Sequence, residues 1–382
     1  MKRALVVIDA LVLAVVLAVV LAVVLAACTS SELPPPATPK LSVDAAVDPI
    51  ADAPEATAGP PEVWLRGSTH VHAAPSGDSS TPVVDVVRWY ESRGYDFVMI
   101  TDHNRISELD EWAPTVGATT LRDPSAGLIV FSGIELTYNP NGCVPAGDAT
   151  GNCRIHVNLL APTGRFAGRL EWADRKSPER VAKYQAALNQ QTRLGGLAQL
   201  NHPQWHWGMT AEVLTEVARR GMSLVEIANV QFDNWNAGDV AHPSTEALWD
   251  AALAAGVTLW GVASDDSHHY DGGGRYPAGG AWIAVRSRRE PQAILDAIAA
   301  GRFYASTGVT LVRAEVVASE LVVEVAPEDA STCSIAFIEN GHRFPAAPGR
   351  IARRTVPASG YVRAVVTRTD GKQAWVQPAR RP

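Results

Sequence analysis

The sequence lacks an excess of basic residues. Its 382 residues include 33 Lys and Arg against 40 Asp and Glu, which gives a formal net charge of −7 at pH 7. Proteins that bind DNA or RNA usually concentrate Lys and Arg on one face. The composition therefore argues against a nucleic-acid partner, and the sequence shows no internal repeat.

Cysteine is also scarce, with four residues in the chain. None forms the paired Cys-x-x-Cys spacing of cysteine-rich zinc sites, which argues against a zinc site of that kind. Cys143 and Cys153 flank a short segment that contains Pro and Gly, and outside the cytoplasm they are predicted to form a disulfide. The alternative is two free thiols in a flexible loop. Cys333 fits a buried strand position.

The N-terminus indicates export from the cytoplasm. A short basic start is followed by a Leu, Val and Ala run over residues 11–27, and the stretch from Leu25 to Cys28 resembles the lipobox of bacterial lipoproteins. We therefore predict a lipoprotein signal peptide over 1–27, lipidation of Cys28, and a membrane-anchored protein in the cell envelope, facing the periplasm or exterior. The alternative is an uncleaved anchor, since the run is nearly long enough to span about 30 Å of bilayer.

The composition changes twice after the lipobox. Residues 28–61 are rich in Pro, Ala and acidic residues without apolar periodicity, which predicts an extended linker. Residues 309–382 contain strand-like runs and no helical segments between them, with hairpin turn signals at Asn340-Gly341 and Asp370-Gly371. This last segment is predicted to be a small antiparallel, β-sandwich-like domain.

Between these segments, over residues 62–308, short apolar runs alternate with helical segments. This alternation is typical of an α/β domain with parallel strands. Seven strands with interleaved helices predict a distorted (β/α)7 barrel. The predicted strands are residues 63–69, 97–101, 128–132, 155–160, 197–200, 223–228 and 257–263.

Histidines follow two of these runs closely. In His70-Val71-His72 both imidazoles lie on one side, because side chains alternate along a strand, and such a pair makes a good two-point metal ligand. Two polar residues on a solvated face would give the same pattern. His103, in Thr101-Asp102-His103, directly follows the next strand, where it could also cap a helix.

Further candidates follow the later runs. Glu135 lies in an apolar stretch, and a buried carboxylate is costly unless cations or a salt bridge compensate it. His156 and His202 are isolated and could each be structural, whereas Asp266 and His268 combine a carboxylate with an imidazole. A barrel of parallel strands would bring the ends of all these runs to one rim.

This ordered set resembles the motifs of the polymerase and histidinol phosphatase (PHP) superfamily of metallohydrolases. The family pattern is a His-x-His, a Thr-Asp-His, a central Glu, two separated His and a final Asp-x-His, and all six elements occur in order between residues 70 and 268. The β-rich C-terminal segment resembles the appended domain of a branch that includes carbamate-hydrolase-like proteins.

The resemblance implies a distorted seven-stranded barrel with two or three divalent metal ions. His70, His72, Glu135 and Asp266 would hold the first ion, and Glu135 would bridge to a second held by His156 and His202. His103 and His268 would hold a third. Asp78 occupies the position where some members have a further His, and it is retained as a candidate ligand of the third ion. Such ligands suit Zn, Mn or Fe.

The implied chemistry is hydrolysis by a metal-bridged hydroxide, most simply of a phosphoester in a small phosphorylated compound. Arg105 is the first candidate to bind the phosphate, with Arg275 as a second. Trp205-His206-Trp207 could form an aromatic wall for the substrate or pack beneath a loop. The alternatives are a carbamate, ester or amide hydrolase, and a non-catalytic metal-binding lipoprotein.

Overall fold

β-Strands make up most of the regular structure. The computed structural model describes residues 60–107, 120–122, 127–273 and 276–381. The predicted signal peptide, the lipidation site Cys28, nearly all of the predicted linker, and Arg275 lie outside the described residues. Among the described residues, no helix combines the length and apolar character that crossing a membrane requires.

The described residues contain eighteen strands. Their apolar residues alternate or run continuously, according to whether one face or both faces of the strand are buried. They are β1 Val63–Val71, β2 Phe97–Ile100, β3 Thr120–Arg122, β4 Ile129–Tyr138, β5 Ile155–Leu160, β6 Leu197–Leu200, β7 Leu224–Asn229, β8 Trp260–Ser264, β9 Trp282–Ser287, β10 Phe303–Ser306, β11 Leu311–Val317, β12 Glu320–Val325, β13 Cys333–Glu339, β14 His342–Arg343, β15 Ala347–Pro348, β16 Ile351–Thr355, β17 Val362–Arg368 and β18 Gln373–Ala379.

Six α-helices lie between these strands in the described part of the chain. Two of them begin with a side chain that caps the first turn: Thr210 accepts a hydrogen bond from the Val213 N–H, and Ser244 accepts one from the Ala247 N–H. The helices are α1 Val83–Glu91, α2 Arg180–Leu194, α3 Ala211–Arg219, α4 Asp233–Ala237, α5 Thr245–Ala254 and α6 Pro291–Ala299, and the 3₁₀ turns are Ala74–Ser76, Trp205–Trp207 and Val230–Phe232.

One large mixed sheet contains fifteen of the eighteen strands. Its order is β14-β13-β17-β18-β10-β9-β1-β2-β4-β5-β6-β7-β8, with β3 paired to β4 and β15 paired to β13. The remaining strands form a small sheet in the order β11-β12-β16. The predicted (β/α)7 barrel is therefore wrong, since this is an open mixed sheet and not a closed ring of parallel strands.

The barrel does not close because another strand occupies the edge of β1. β9 pairs antiparallel with β1, from Val63 opposite Ser287 to Gly67 opposite Ile283. Within the described residues, β8 pairs as a strand only with β7. A single bridge joins Val71, the last residue of β1, to Ser267 in the segment that follows β8. The sequence pattern predicts no strand at β9 or β10, and the predicted barrel therefore has no competitor for the edge of β1.

The direction of β5 also differs from the prediction. β5 is antiparallel to both β4 and β6. The described connection from β4 to β5, residues 139–154, contains no helix, and a connection without a crossover helix normally joins antiparallel strands. As a result the first residues of β5, and not its last, lie at the edge where β4 ends.

The C-terminal strands continue the main sheet. β18 pairs with β10, for example Tyr304 opposite Val376, so residues on both sides of position 308 contribute to one sheet. The predicted separate antiparallel domain is thus wrong in this respect, although β13, β17 and β18 are antiparallel. The side-chain amide of Gln377 bonds the N–H and C=O of Gly261 at 2.9 and 2.7 Å, which satisfies part of the free edge of β8.

A buried ion pair joins the C-terminal strands to α5. Arg363, with a side chain 1% exposed, donates to both carboxylate oxygens of Asp250 at 2.7 Å and to Glu246 at 2.9 Å. Replacing it by Met would leave two largely buried carboxylates without their cation. We expect Arg363→Met to lower the free energy of unfolding by about 3 kcal/mol, measured by urea denaturation.

Arg354 provides the matched control for that change. Its guanidinium also bonds a carboxylate, that of Glu339 at 2.9 Å, but its side chain is 33% exposed. Surface pairs of this kind contribute about 1 kcal/mol or less, so Arg354→Met should have a small effect. Equal losses for the two variants would contradict the role given to the buried pair.

Candidate metal centre

Six imidazoles and three carboxylates meet at one edge of the main sheet. Each side chain lies in a strand near that edge or in the segment that leaves it. Because β5 is antiparallel to its neighbours, its second residue is at the same edge as the ends of the parallel strands. They are His70 in β1, His72 after it, Asp78, His103 after β2, Glu135 in β4, His156 in β5, His202 after β6, and Asp266 and His268 after β8.

Ligand atoms in this set form three overlapping groups whose members all lie within 4.8 Å of one another. Eight of the nine predicted metal-ligating residues, all except Asp266, thus fall in groups that could hold a metal ion. Glu135 belongs to two of the groups and His72 to two. The groups are His70, His72 and Glu135; Glu135, His156 and His202; and His72, Asp78, His103 and His268.

Glu135 is at the centre of the set. Its Oε1 lies 2.9 Å from His156 Nδ1 and 3.3 Å from His70 Nε2, and its Oε2 lies 2.5 Å from His103 Nδ1. The side chain is 1% exposed. A carboxylate so placed can provide one oxygen to each of two neighbouring cations.

Asp266, and not its neighbour Asp265, faces the imidazoles. Asp266 Oδ1 is 3.2 Å from His70 Nε2 and 3.0 Å from His72 Nε2. Asp265 instead accepts hydrogen bonds from Ser68 Oγ and from the backbone N–H of Gly279. Asp266, the residue at the Asp-x-His spacing from His268, is therefore the carboxylate that points into the centre.

Asp78 lies between the two imidazoles that were assigned to a third ion. Its Oδ2 is 2.9 Å from His103 Nε2 and 3.2 Å from His268 Nε2. These imidazoles hold the pKa of Asp78 well below its usual range, against the opposing effect of burial. Its side chain is 48% exposed, which makes this group the most open part of the centre.

Buried nitrogens test whether these residues fit a cation. The Nε2 atoms of His70 and His72 are buried and lie 3.2 and 3.0 Å from Asp266 Oδ1 without the geometry of a hydrogen bond, and the buried Nδ1 atom of His202 has no hydrogen-bond partner. Leaving buried polar atoms unpaired is costly, and most proteins avoid it. The first two nitrogens point at Glu135 and Asp266, as metal-ligating nitrogens beside carboxylates would. The residues present therefore fit divalent cations.

The protonation states also suit metal ligation. Burial, together with the imidazoles of His268 and His103, lowers the pKa of His72 to about 3, and burial lowers that of His156 to about 4. Although burial opposes ionisation, His156, His103 and His70 hold the pKa of Glu135 well below its usual range. Metal ligands must be neutral imidazoles and ionised carboxylates, and these groups meet that condition at neutral pH.

His103 differs from His72 and His156, as do His70 and His268, because burial opposes their charge but nearby carboxylates raise the pKa of each of them. Burial opposes the charge of His103, but the carboxylates of Glu135 and Asp78 raise its pKa to about 10. In the metal-free protein it is therefore protonated and neutralises part of the acidic charge. A cation bound between Asp78 and His103 would have to displace that proton.

The sequence pattern did not single out Glu226, which contacts the ring nitrogen of His70 that faces away from the centre. This residue of β7 is fully buried, and its Oε1 lies 2.7 Å from His70 Nδ1. Its Oε2 accepts the backbone N–H of His202 at 2.6 Å and the amide of Asn229 at 3.0 Å. A carboxylate in the middle of an apolar strand was the available signal, as it was for Glu135.

A cavity of about 270 Å³ opens onto the centre. Trp205 lines it, with its ring centroid 5.7 Å from that of His156. Trp207 instead stacks on His242, 4.5 Å away between ring centroids. Of the two alternatives for this aromatic segment, the wall therefore fits Trp205 and loop packing fits Trp207. The other lining residues include Asp78, His103, Arg169, His202, Phe232, Asp266, His268 and Tyr276.

The predicted phosphate-binding residue is placed differently. Arg105 donates to the Pro75 carbonyl at 3.4 Å and is not among the residues that line the cavity.

Cys143 and Cys153 are joined by a disulfide in the connection between β4 and β5. A larger cavity of about 510 Å³ lies near Asp233 and Lys372, but none of its lining residues is a His.

Backbone conformations around the centre are unusual. His202 and Asp266 have φ of 24° and 45°, and Tyr276 has φ of 61°. Residues other than glycine adopt positive φ at an energetic cost, and such strain is concentrated at functional sites. The packing around the sheet edge therefore stabilises a backbone that aims these side chains at one point.

No protein-family model matches this sequence, and the search of curated proteins finds no match either. The resemblance to the PHP superfamily thus depends on the ordered ligand motifs alone.

Asp265 makes the stability of the metal-free protein depend on pH. Burial raises its pKa to about 7, whereas an unfolded Asp titrates near about 3.9. The folded protein thus keeps a proton that the unfolded chain has released, and this contribution to stability is complete below about pH 4 and lost as the pH rises through about 7. We expect wild type to lose stability relative to Asp265→Asn across that interval, in urea titrations with chelator. Parallel pH profiles would contradict this assignment.

Proposed function

We propose that this protein is a metal-dependent hydrolase of the PHP type that cleaves phosphoesters of small molecules. The observation that supports the proposal most directly is the position of Glu135, which lies within 3.3 Å of His70, His103 and His156. A buried carboxylate shared by two groups of imidazoles is the arrangement that a pair of metal ions requires.

The ligand set favours two ions and allows a third. His70, His72, Glu135 and Asp266 would hold one ion, and Glu135, His156 and His202 a second. Asp78, His103 and His268 would hold the third. Imidazole and carboxylate donors suit Zn, Mn or Fe. When bound, such ions would activate a water molecule and neutralise charge on a phosphoryl oxygen.

The residues around the ligands would keep this arrangement fixed. Glu226 orients His70 through its Nδ1 atom, so the other ring nitrogen faces the centre. Asn201 donates to Glu135 Oε1 at 2.9 Å and holds the carboxylate between the imidazoles. Trp205 and Phe232 give the cavity an apolar side that would exclude water from a bound organic group. Lipidation of Cys28 would place this activity in the cell envelope.

Metal removal combined with turnover assays tests the proposal. The protein is treated with chelator, dialysed, and assayed with p-nitrophenyl phosphate, bis-p-nitrophenyl phosphate and a p-nitrophenyl carbamate, before and after addition of Zn²⁺, Mn²⁺ or Fe²⁺. We expect phosphoester hydrolysis that disappears with the metal and returns with it. Glu171→Gln, whose side chain is 79% exposed and paired with Arg175, serves as the matched control.

Three outcomes would contradict the proposal. Hydrolysis of the carbamate alone would replace the phosphoesterase with the alternative hydrolase. Activity that survives metal removal would exclude a metal-dependent mechanism. Metal binding without turnover of any of the three esters would favour a non-catalytic metal-binding protein.

A further inference from the structure

Trp205 packs against two of the imidazoles that would hold the second ion. Its ring centroid lies 5.7 Å from that of His156 and 5.2 Å from that of His202, and in each pair the rings meet edge to face. Its backbone N–H donates to the His202 carbonyl at 3.0 Å. Close packing leaves few voids into which a side chain could turn. The position of Trp205 therefore restricts the directions in which the two imidazoles point.

The segment that carries Trp205 has an unfavourable backbone. His202, His206 and Trp207 have positive φ values of 24°, 65° and 57°. Residues other than glycine adopt this conformation at an energetic cost and keep it only where the surrounding structure imposes it. Contacts from elsewhere in the chain must therefore hold this segment in place.

The connection between β4 and β5 supplies such contacts at His206. The Asp148 N–H donates to the His206 carbonyl at 3.0 Å, and Asp148 Oδ2 lies 2.7 Å from His206 Nδ1. Gly147 packs so closely against the same carbonyl that a Cβ atom there would lie 2.0 Å from its oxygen. Although burial opposes ionisation, hydrogen bonds from Thr150 and His206 lower the pKa of Asp148. The bond to His206 is therefore made by a carboxylate.

These contacts come from a loop that is closed at its base, residues 143–153, here named the disulfide loop. Cys143 and Cys153 join its two ends. The Val144 N–H donates to the Pro178 carbonyl at 2.9 Å, which attaches the loop to the segment before α2. A cross-link excludes the extended conformations that an open loop would sample. The disulfide loop therefore presents its carboxylate to His206 from a restricted position.

We propose that the disulfide loop is a clamp that positions Trp205 and His202, and that the second ion binds tightly only when this clamp is intact. The inference rests on the two-ion centre of the proposed function. Asp148 and His206 are positioning residues in this scheme, since neither belongs to a ligand group. The loop also connects β4 to β5, the strands that carry the other two ligands of the second ion. All three ligands of that ion therefore depend on this one connection.

Metal binding by clamp variants tests the inference. Zn²⁺ binding to the full-length protein is measured by competition with a chelator of known affinity, for wild type, Asp148→Ala and the double variant Cys143→Ala with Cys153→Ala. We expect the first ion to bind as in wild type. The second should bind about 10- to 100-fold more weakly in both variants, as is typical when the orientation of a ligand is lost. Asp148→Asn keeps an oxygen that can accept a hydrogen bond from His206 and should recover part of the affinity.

Asp239→Ala is the matched control. Asp239 makes the same two contacts with a histidine, because its N–H donates to the His242 carbonyl at 2.9 Å and its Oδ1 lies 2.8 Å from His242 Nδ1. His242 stacks on Trp207, which is not among the residues that line the cavity. This variant should bind both ions like wild type. A loss of second-ion affinity as large as that of Asp148→Ala would overturn the inference.

Hydrogen exchange in the metal-free protein provides a readout that does not depend on metal binding. The N–H groups of Trp205 and Trp207 donate to the carbonyls of His202 and Gln204 at 3.0 and 2.8 Å. We expect both amides to exchange at least about tenfold faster in Asp148→Ala and in the cysteine double variant, because the segment opens locally when its restraint is lost. The amides of β17, which pairs with β13 and β18, should exchange at wild-type rates.

Two further results would overturn the inference. The first is unchanged affinity for the second ion in both variants, whatever the exchange rates. The second is an equal weakening of both ions together with faster exchange throughout the main sheet, which would show that the disulfide loop only stabilises the fold. If the cysteine double variant does not fold, Asp148→Ala decides alone.

The clamp and the proposed function fail in different ways. If wild type binds fewer than two ions while exchange at Trp205 and Trp207 accelerates in the variants, the two-ion centre fails and the positioning of the segment stands. If wild type binds two ions and cleaves phosphoesters, and the variants match it in both readouts, the clamp fails alone.

Discussion

Replacing Glu135 by Gln should reduce phosphoester hydrolysis by about 10³-fold or more and remove at least one bound metal ion. The carboxylate lies among His70, His103 and His156, and it is the acidic residue common to two of the ligand groups. An amide keeps the shape of the carboxylate but loses its charge. A bound Lewis acid lowers the activation barrier by several kcal/mol, and each 1.36 kcal/mol corresponds to about tenfold in rate. Steady-state kinetics and metal analysis of the same sample check both parts.

Glu171→Gln is again the control, because its carboxylate is on the surface. The metal-free Glu135→Gln protein should also be examined by circular dichroism, since its loss of charge leaves several imidazoles near a neutral group. A folded variant with unchanged turnover and unchanged metal content would show that Glu135 is not a ligand.

Replacing Glu226 by Gln should weaken metal binding by about 10- to 100-fold, as is typical for residues that orient a metal ligand. Every group that faces this carboxylate is a donor or can act as one: His70 Nδ1, the His202 N–H and the side chain of Asn229 are examples. An amide would turn its NH₂ group toward one of these donors. Competition with a chelator of known affinity measures the change.

The control for this second variant is Glu216→Gln on α3, whose carboxylate bonds Arg220 and is 40% exposed. Metal affinity should be measured well below the unfolding temperature of the variant, so that unfolding is not mistaken for a loss of His70 orientation. Metal affinity equal to that of wild type would show that Glu226 fills space without orienting His70.

The local sequence pattern predicted most strands and helices in the first two thirds of the fold, but not which strand pairs with the edge of β1. Apolar runs and caps placed β1, β2, β5 to β8 and several helices near their observed positions. The closure depends on which strand pairs with the edge of β1. That strand, Trp282–Ser287, lies 216 to 224 residues away in sequence from its β1 partners.

Such pairing is decided by tertiary packing and not by local propensity. The same argument applies to β10, β17 and β18, whose pairing brings the C-terminal strands into the main sheet. Their antiparallel character was predictable from turn signals such as Asp370-Gly371. Their partner was not, because the edge of β10 that pairs with β18 has no local sequence signature.

The ligands were predictable for a different reason. A metal site needs particular side-chain chemistry at the ends of strands, and His70, His103 and Glu135 show that chemistry in the sequence itself. Glu226 does not coordinate a metal ion in the predicted scheme. Its role follows from its contact with His70, which only the folded chain brings together.

The most direct test of the metal centre is the number of ions that the purified protein retains. Chelator-treated protein is reconstituted with Zn²⁺ or Mn²⁺, freed of excess metal by gel filtration, and analysed by mass spectrometry beside Glu135→Ala. We predict at least two ions per chain in wild type and fewer in the variant. One ion or none in wild type, with the same number in Glu135→Ala, would contradict the account.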